Sequence, residues 1–268
     1  MTRPQSLHRL FLPAVLLALG AHLPAQQAEA KREFAAIQKE YDAEFAELRK
    51  AAAGLPQAES GALYTEFFAT VLPEFLERTA VLARAERGSP LAHDAWSRII
   101  SQATSMAPMA EVSKKLVSEA LDALLADHLD SKTLGNVVAS LRYSASVLGD
   151  ETVLRFADEL GRRTPLLEVR AEARFAHAAV LAAGSVAGDP RRKQALAELA
   201  ALESEFGELA SSNGRSHGEN ARGLRFELEN LSIGQACPDF SAVDAEGVAF
   251  KLSDYKGKVV LIDFWGFW

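Results

Sequence analysis

Cysteine is almost missing from this chain, with Cys237 the single thiol in 268 residues. A lone thiol excludes an internal disulfide framework and any zinc or iron–sulfur centre built from several thiolates. Clustered positive charge is missing too. Against 36 Asp and Glu stand 29 Lys and Arg, a formal net charge of −7, and no basic face is available to track phosphate backbones or an anionic membrane. Seventeen glycines and ten prolines without a period leave no case for a collagen-like or wholly disordered chain. His93, His128, His177 and His217 are scattered, with no His-Glu-x-x-His and no i, i+4 pair, so no metal site and no cofactor is expected. What remains, 49% hydrophobic and 24% charged residues, suits one large globular domain or two smaller ones.

The first thirty residues read as an export signal. Arg3 and Arg9 stand in an N-terminal stretch without an acid, Leu10 to Leu19 is nearly all apolar, and small residues follow. Two small-residue exits suit cleavage, after Ala25 and after Ala30. The apolar run is too short to span a bilayer, which takes roughly 20 residues. No cysteine stands near the exit, so no lipid anchor is expected there. The expected location is the periplasm or the extracellular side of a bacterial envelope, where few thiols limit wrong pairing.

From Lys31 to about Asn230 the apolar spacing is helical. Phe34, Ile37, Tyr41, Phe45 and Leu48 recur every three or four residues and make one stripe. Gly54-Leu55-Pro56 ends that helix, and a second, from about Ser60 to Glu86, is expected to kink or break at Pro73. Ser89-Pro90, Thr164-Pro165 and Asp189-Pro190 each put a capping side chain before a proline at the first helical position. Asp130 and Asp150 read as further N-caps, and Gly161 and Gly184 as helix stops. The expectation is an all-α domain over 31–230, about eight or nine helices in a bundle or short solenoid, because short loops make neighbours antiparallel. Acid pairs such as Asp158/Glu159 and Glu203/Glu205 diverge around their helices and read as solvated faces. Ser211 to Asn220 reads as a flexible polar loop before a last helix at about Ala221 to Asn230.

After Leu231 the period changes to two. Pro238 stiffens a lead-in segment, and Phe240–Val243 and Val248–Leu252 flank Asp244-Ala245-Glu246-Gly247 as a hairpin. Val259 to Trp265 is then a nearly continuous apolar run, the mark of a strand covered on both faces. Without neighbouring strands such a unit is marginal in water, so residues 231–268 alone are expected to show no cooperative melt.

These residues carry a resemblance. The stretch IGQACPDFSAVDAEGVAFKLSDYKGKVVLIDFWGFW is similar to the opening of thioredoxin-like disulfide reductases of the redoxin (TlpA-like) family. In that family a G-x-x-A-P-D-F lead-in, a hairpin and an L-S-D-Y-x-G-K turn precede V-V-L-x-F-W-x-x-W and then C-x-x-C. The resemblance covers residues 231–268, about one seventh of the chain. It implies the incomplete start of a thioredoxin-like α/β domain, hairpin plus one core strand, behind a mainly helical domain. It also implies an exported thiol–disulfide oxidoreductase acting on protein thiols and disulfides, whose redox cysteines belong directly after Trp268. The 268-residue chain is therefore expected to be an inactive N-terminal fragment.

By the same resemblance Asp263 is a proton acceptor for the second cysteine, desolvated in its apolar strand; the alternative is a strand-end acid facing water. Trp265 and Trp268 would wall the active-site surface, or else pack in the core. Cys237 takes the place of a small residue and is expected to be buried. Two other functions compete: a helical protein-interaction module with a vestigial redoxin tail, and a thiol peroxidase sharing the lead-in segment. No nucleic-acid partner is expected.

Overall fold

The computed structural model describes residues 24–105, 109–263, 265 and 266. Most of the expected export signal, and Phe264 and Trp268, lie outside the described residues. The helices among them are α1 (Pro24–Ala52), α2 (Gln57–Glu66), α3 (Leu72–Ala85), α4 (Pro90–Ala103), α5 (Glu111–Asp127), α6 (Leu134–Leu141), α7 (Ala145–Leu148), α8 (Asp150–Arg163), α9 (Leu167–Ala182), α10 (Pro190–Phe206) and α11 (His217–Asn230). A single hairpin, β1 (Ser241–Val243) and β2 (Ala249–Lys251), follows them. The chain is mainly α with the incomplete start of a thioredoxin-like domain at its end.

Burial follows the helical period. In α8, Val153, Phe156, Ala157 and Leu160 are buried at spacings of three and four, while Arg155, Asp158 and Arg162 stay in ion pairs at the surface. Consecutive helices pack side by side, α3 on α4, α4 on α5, α8 on α9, α9 on α10 and α10 on α11, and α6 also lies on α9. α9 serves two cores. Its Val169, Ala173, Ala176 and Val180 join the larger core built by α1 to α8, and its Ala171, Phe175, Ala178 and Leu181 face α10 and α11. The many alanines of α9 let helices approach from both sides.

Helix starts show which local signals the fold uses. The Ser89 hydroxyl accepts from the Ala92 amide at 3.1 Å, and the Asp189 carboxylate from the Arg191 amide at 2.8 Å, each before a proline in the first turn. Pro73 is absorbed by a wider turn. Residues Phe67–Val71 form a π-helix, where the Leu72 amide reaches the Phe67 carbonyl and the chain passes into α3 without a break.

Several boundaries differ from expectation. α1 begins at Pro24, and Ala30 is packed with Leu82 and Leu91, so both expected cleavage exits fall within this helix. Pro165 lies before α9, not in it; the Thr164 hydroxyl donates to the Leu129 carbonyl and accepts from the Leu166 amide, and α9 begins at Leu167. Asp130 caps nothing: it sits in the turn ahead of α6, whose N-cap is Thr133. Asp150 is the first residue of α8 and pairs with Arg191 at 2.7 Å, leaving the N-cap to Gly149. Gly161 is interior to α8, where a Cβ would stand 3.6 Å from that of Ala173: a close helix approach, and no stop. The expected loop 211–220 is shorter, closed by bonds from the Ser211 amide to the Arg215 carbonyl and from the Gly214 amide to the Ser211 carbonyl, and α11 starts at His217 behind a capping box of Ser216 and Glu219. Finally, Val259–Asp263 form no strand, since no neighbouring strand among the described residues accepts their backbone.

Candidate functional site

The segment after α11 is held by short polar ties, with little apolar cover. The Asp239 carboxylate accepts from the Ser253 amide and from its hydroxyl, both at 2.8 Å, joining the lead-in segment to the turn beyond the hairpin. Those bonds hold its carboxyl below the usual carboxylate range. Between these anchors β1 and β2 pair antiparallel, Ala242 opposite Phe250, and the Leu252 amide reaches the Phe240 carbonyl. The hairpin turn needs Gly247, whose φ of +85° is strained for other residues, and Asp244 accepts from the Glu246 and Val248 amides. Leu252–Tyr255 then makes a 3₁₀ turn, with Asp254 accepting from the Lys251 amide and the Tyr255 ring set edge-on to Phe250.

Beyond this turn the chain is open. Val259 and Leu261 are 102% and 93% exposed, and Val260 and Ile262 are also exposed. Asp263 is exposed, so the desolvation expected of it is absent here. Trp265 is 73% exposed and lines no core; Trp268 lies outside the described residues. Cys237, expected to be buried, is exposed, because no sheet covers the lead-in segment. The structure therefore unites Asp239 with Ser253 and does not assemble Asp263, Trp265 and Cys237 into one site.

No family model matches the sequence, and no solved structure matches it. Curated proteins match over a short stretch. A thiol-disulfide oxidoreductase ResA of Bacillus thuringiensis subsp. konkukian is 45% identical over 40 residues, 15% of this chain and 23% of that protein. The ResA of Bacillus anthracis is 40% identical over 47 residues, 18% and 27% of the two chains. That of Geobacillus kaustophilus is 45% identical over 42 residues, 16% and 24%. A short stretch of this chain is thiol–disulfide oxidoreductase-like. The chain spans about a quarter of the length of these relatives.

Among the helices, the fold brings together polar groups that are far apart in sequence. His93 and His128 meet edge-to-face, ring centroids 5.4 Å apart, where α4 begins and α5 ends. The Thr133 hydroxyl lies 2.9 Å from His93 Nε2. Burial, with the neighbouring His93, pushes the His128 imidazole pKa down. His177 Nδ1 lies 2.7 Å from Glu198 in an open cavity of about 390 Å³ between α8, α9 and α10, with Gln194 bracing the same carboxylate. Arg162 and Arg174 at its rim already pair with Asp158 and Glu205. His217 is fully buried beside Glu172. Sequence reasoning passed over these pairs because their partners are 21 to 45 residues away. One local signal was available: Ser216-x-x-Glu219 fixes the start of α11 and so places His217 in its first turn. Among the described residues no group of three or more His, Cys, Asp or Glu is arranged to hold a metal ion, and no helix is long and apolar enough to cross a membrane.

Proposed function

We propose that this chain is the N-terminal part of an exported thiol–disulfide oxidoreductase: a signal peptide over 1–30, a helical domain over 31–230, and the start of a redoxin domain from Leu231. The partial identity to thiol-disulfide oxidoreductases carries this reading. It is supported by the hairpin and the Asp239–Ser253 tie, which fall where the resemblance puts the lead-in segment and the Leu-Ser-Asp-Tyr turn. The substrates are protein thiols and disulfides outside the cytoplasm.

The chemistry needs two thiols. A first thiolate attacks a substrate disulfide, forming a mixed disulfide and expelling one substrate thiolate. A second thiol, losing its proton to a carboxylate, attacks that mixed disulfide, releases the other substrate thiolate and leaves the protein oxidised. In this reading Asp263 is the carboxylate, and Trp265 and Trp268 border the reacting sulfurs once sheet neighbours cover Val259–Asp263. Cys237 by itself cannot complete the cycle, so the 268-residue chain should not reduce insulin disulfides with dithiothreitol above a protein-free control. The coding sequence after the Trp268 codon tests the assignment directly. A Cys-x-x-Cys at once downstream is expected, and a reading frame without thiols there would overturn it.

A further inference from the structure

The most unusual polar arrangement in the helical domain is a buried acid–base pair under the turn between α10 and α11. His217 has no exposed surface and Glu172, on α9, is 5% exposed. Glu172 Oε1 accepts from the Ser211 hydroxyl at 2.7 Å and from the Ser212 amide, so this one oxygen ties the turn to α9. His217 Nε2 stands 3.9 Å from the same oxygen, beyond hydrogen-bond reach, and neither ring nitrogen has a hydrogen-bond partner. The rest of the turn closes on α11 through backbone bonds, His217 amide to Leu209 carbonyl and Gly218 amide to Gly207 carbonyl.

The surroundings of the imidazole leave one charge to answer it. From α9 it meets Glu172 and the ring of Phe175, on which Arg142 stacks. The turn is joined to its residue through the backbone, the His217 amide donating to the Leu209 carbonyl. On its own helix Glu219 is engaged by the Ser216 amide, and Arg222 by Glu203 of α10. Burial lowers the His217 pKa, and Glu172 is the charged group that opposes this.

We propose that Glu172 and His217 form an acid-operated latch that holds the 207–216 turn and α11 against α9 and releases them when His217 takes a proton. A charged imidazole is costly where it lies, because it is fully buried and neither ring nitrogen has a hydrogen-bond partner. That cost favours the open turn. The sign follows from linkage: a histidine whose packed pKa is depressed favours packing at neutral pH, and that advantage fades as pH falls below the open-state value near 6.5. The opening constant then rises by up to about tenfold per pH unit until the packed-state pKa is reached. α11 runs directly into the oxidoreductase-like segment, so opening frees the root of that segment.

Amide hydrogen exchange on the 268-residue chain from pH 7.5 to 5, corrected for intrinsic rates, tests this. Opening of the Ser212, His217 and Gly218 amides should rise several-fold, with the α8 amides from Phe156 to Leu160 unchanged. A flat profile at the turn, or an equal rise in α8, would overturn the latch. Replacing the imidazole by an uncharged ring, His217→Phe, should flatten the turn's profile; persistence of the pH response would also overturn it. Should that variant not fold, ring-carbon NMR of His217 in the unaltered chain decides: a midpoint well below 6.5 upholds the latch and one at 6.5 or above refutes it.

Discussion

The helical domain and the segment after Leu231 are built from equally apolar stretches, yet one buries them and the other does not. Leu121, Leu124, Phe156 and Leu160 are wholly enclosed, while Val259 and Leu261 stand in water. The difference is where each element finds its hydrogen bonds. A helix closes its backbone internally, so a stripe of side chains is all it must cover. A strand needs a neighbour for its backbone before its side chains can pack, and two short strands supply too little. The segment after Leu231 therefore keeps what is local, the turn at Gly247 and the Asp239–Ser253 tie, and lacks what is long-range.

Paired core substitutions would break this comparison most sharply. Phe156→Ala should destabilise the helical domain by about 3–5 kcal/mol through lost burial and a cavity. Leu261→Ala should change the same urea transition by less than about 0.5 kcal/mol, because no core surrounds it. Comparable losses would mean that the Val259–Asp263 run packs against the helices in solution.

A smaller effect is expected at the helix starts. Ser89→Ala removes the hydroxyl that takes the Ala92 amide and should cost the domain about 1 kcal/mol in chemical denaturation. Gly247→Ala forces a side chain into a φ of +85° and should loosen the hairpin, with the domain's transition unmoved. A shift of the domain by the hairpin variant would show that the two regions are energetically joined.

These same residues mark how far the sequence could be read. Periodicity was enough for the helical class, because 3.6-residue spacing is a local property. Ser89-Pro90 and Asp189-Pro190 were legible as caps for the same reason. Thr164-Pro165 carries the identical signal, yet α9 begins only at Leu167; the Thr164 hydroxyl accepts from the Leu166 amide and also donates to the Leu129 carbonyl, 35 residues away. Gly161 looked like a stop and is a contact with Ala173. In the candidate site, the hairpin and its turn were legible, and the state of Asp263, Cys237 and Trp265 was not. Their burial depends on sheet neighbours, which pairing rules supply and local spacing does not.

The smallest effect, and the most specific to the segment, concerns the tie at Asp239. Two hydrogen bonds from Ser253 hold its carboxyl below the ordinary carboxylate range, so the tie is strongest when Asp239 is ionised. A depressed carboxyl pKa contributes stability that is fully present above the ordinary value near 3.9 and is lost as pH falls through the lower, folded one. Protection of the Ser253 amide should accordingly be constant from pH 7 to 5 and decline only under stronger acid, well below the window in which His217 acts. Asp239→Asn keeps an acceptor and removes the charge, so it should weaken that protection at neutral pH and abolish its acid dependence. Protection lost already near pH 6 would instead tie the hairpin to the histidines of the helical domain, and the two regions would have to be treated as one cooperative unit.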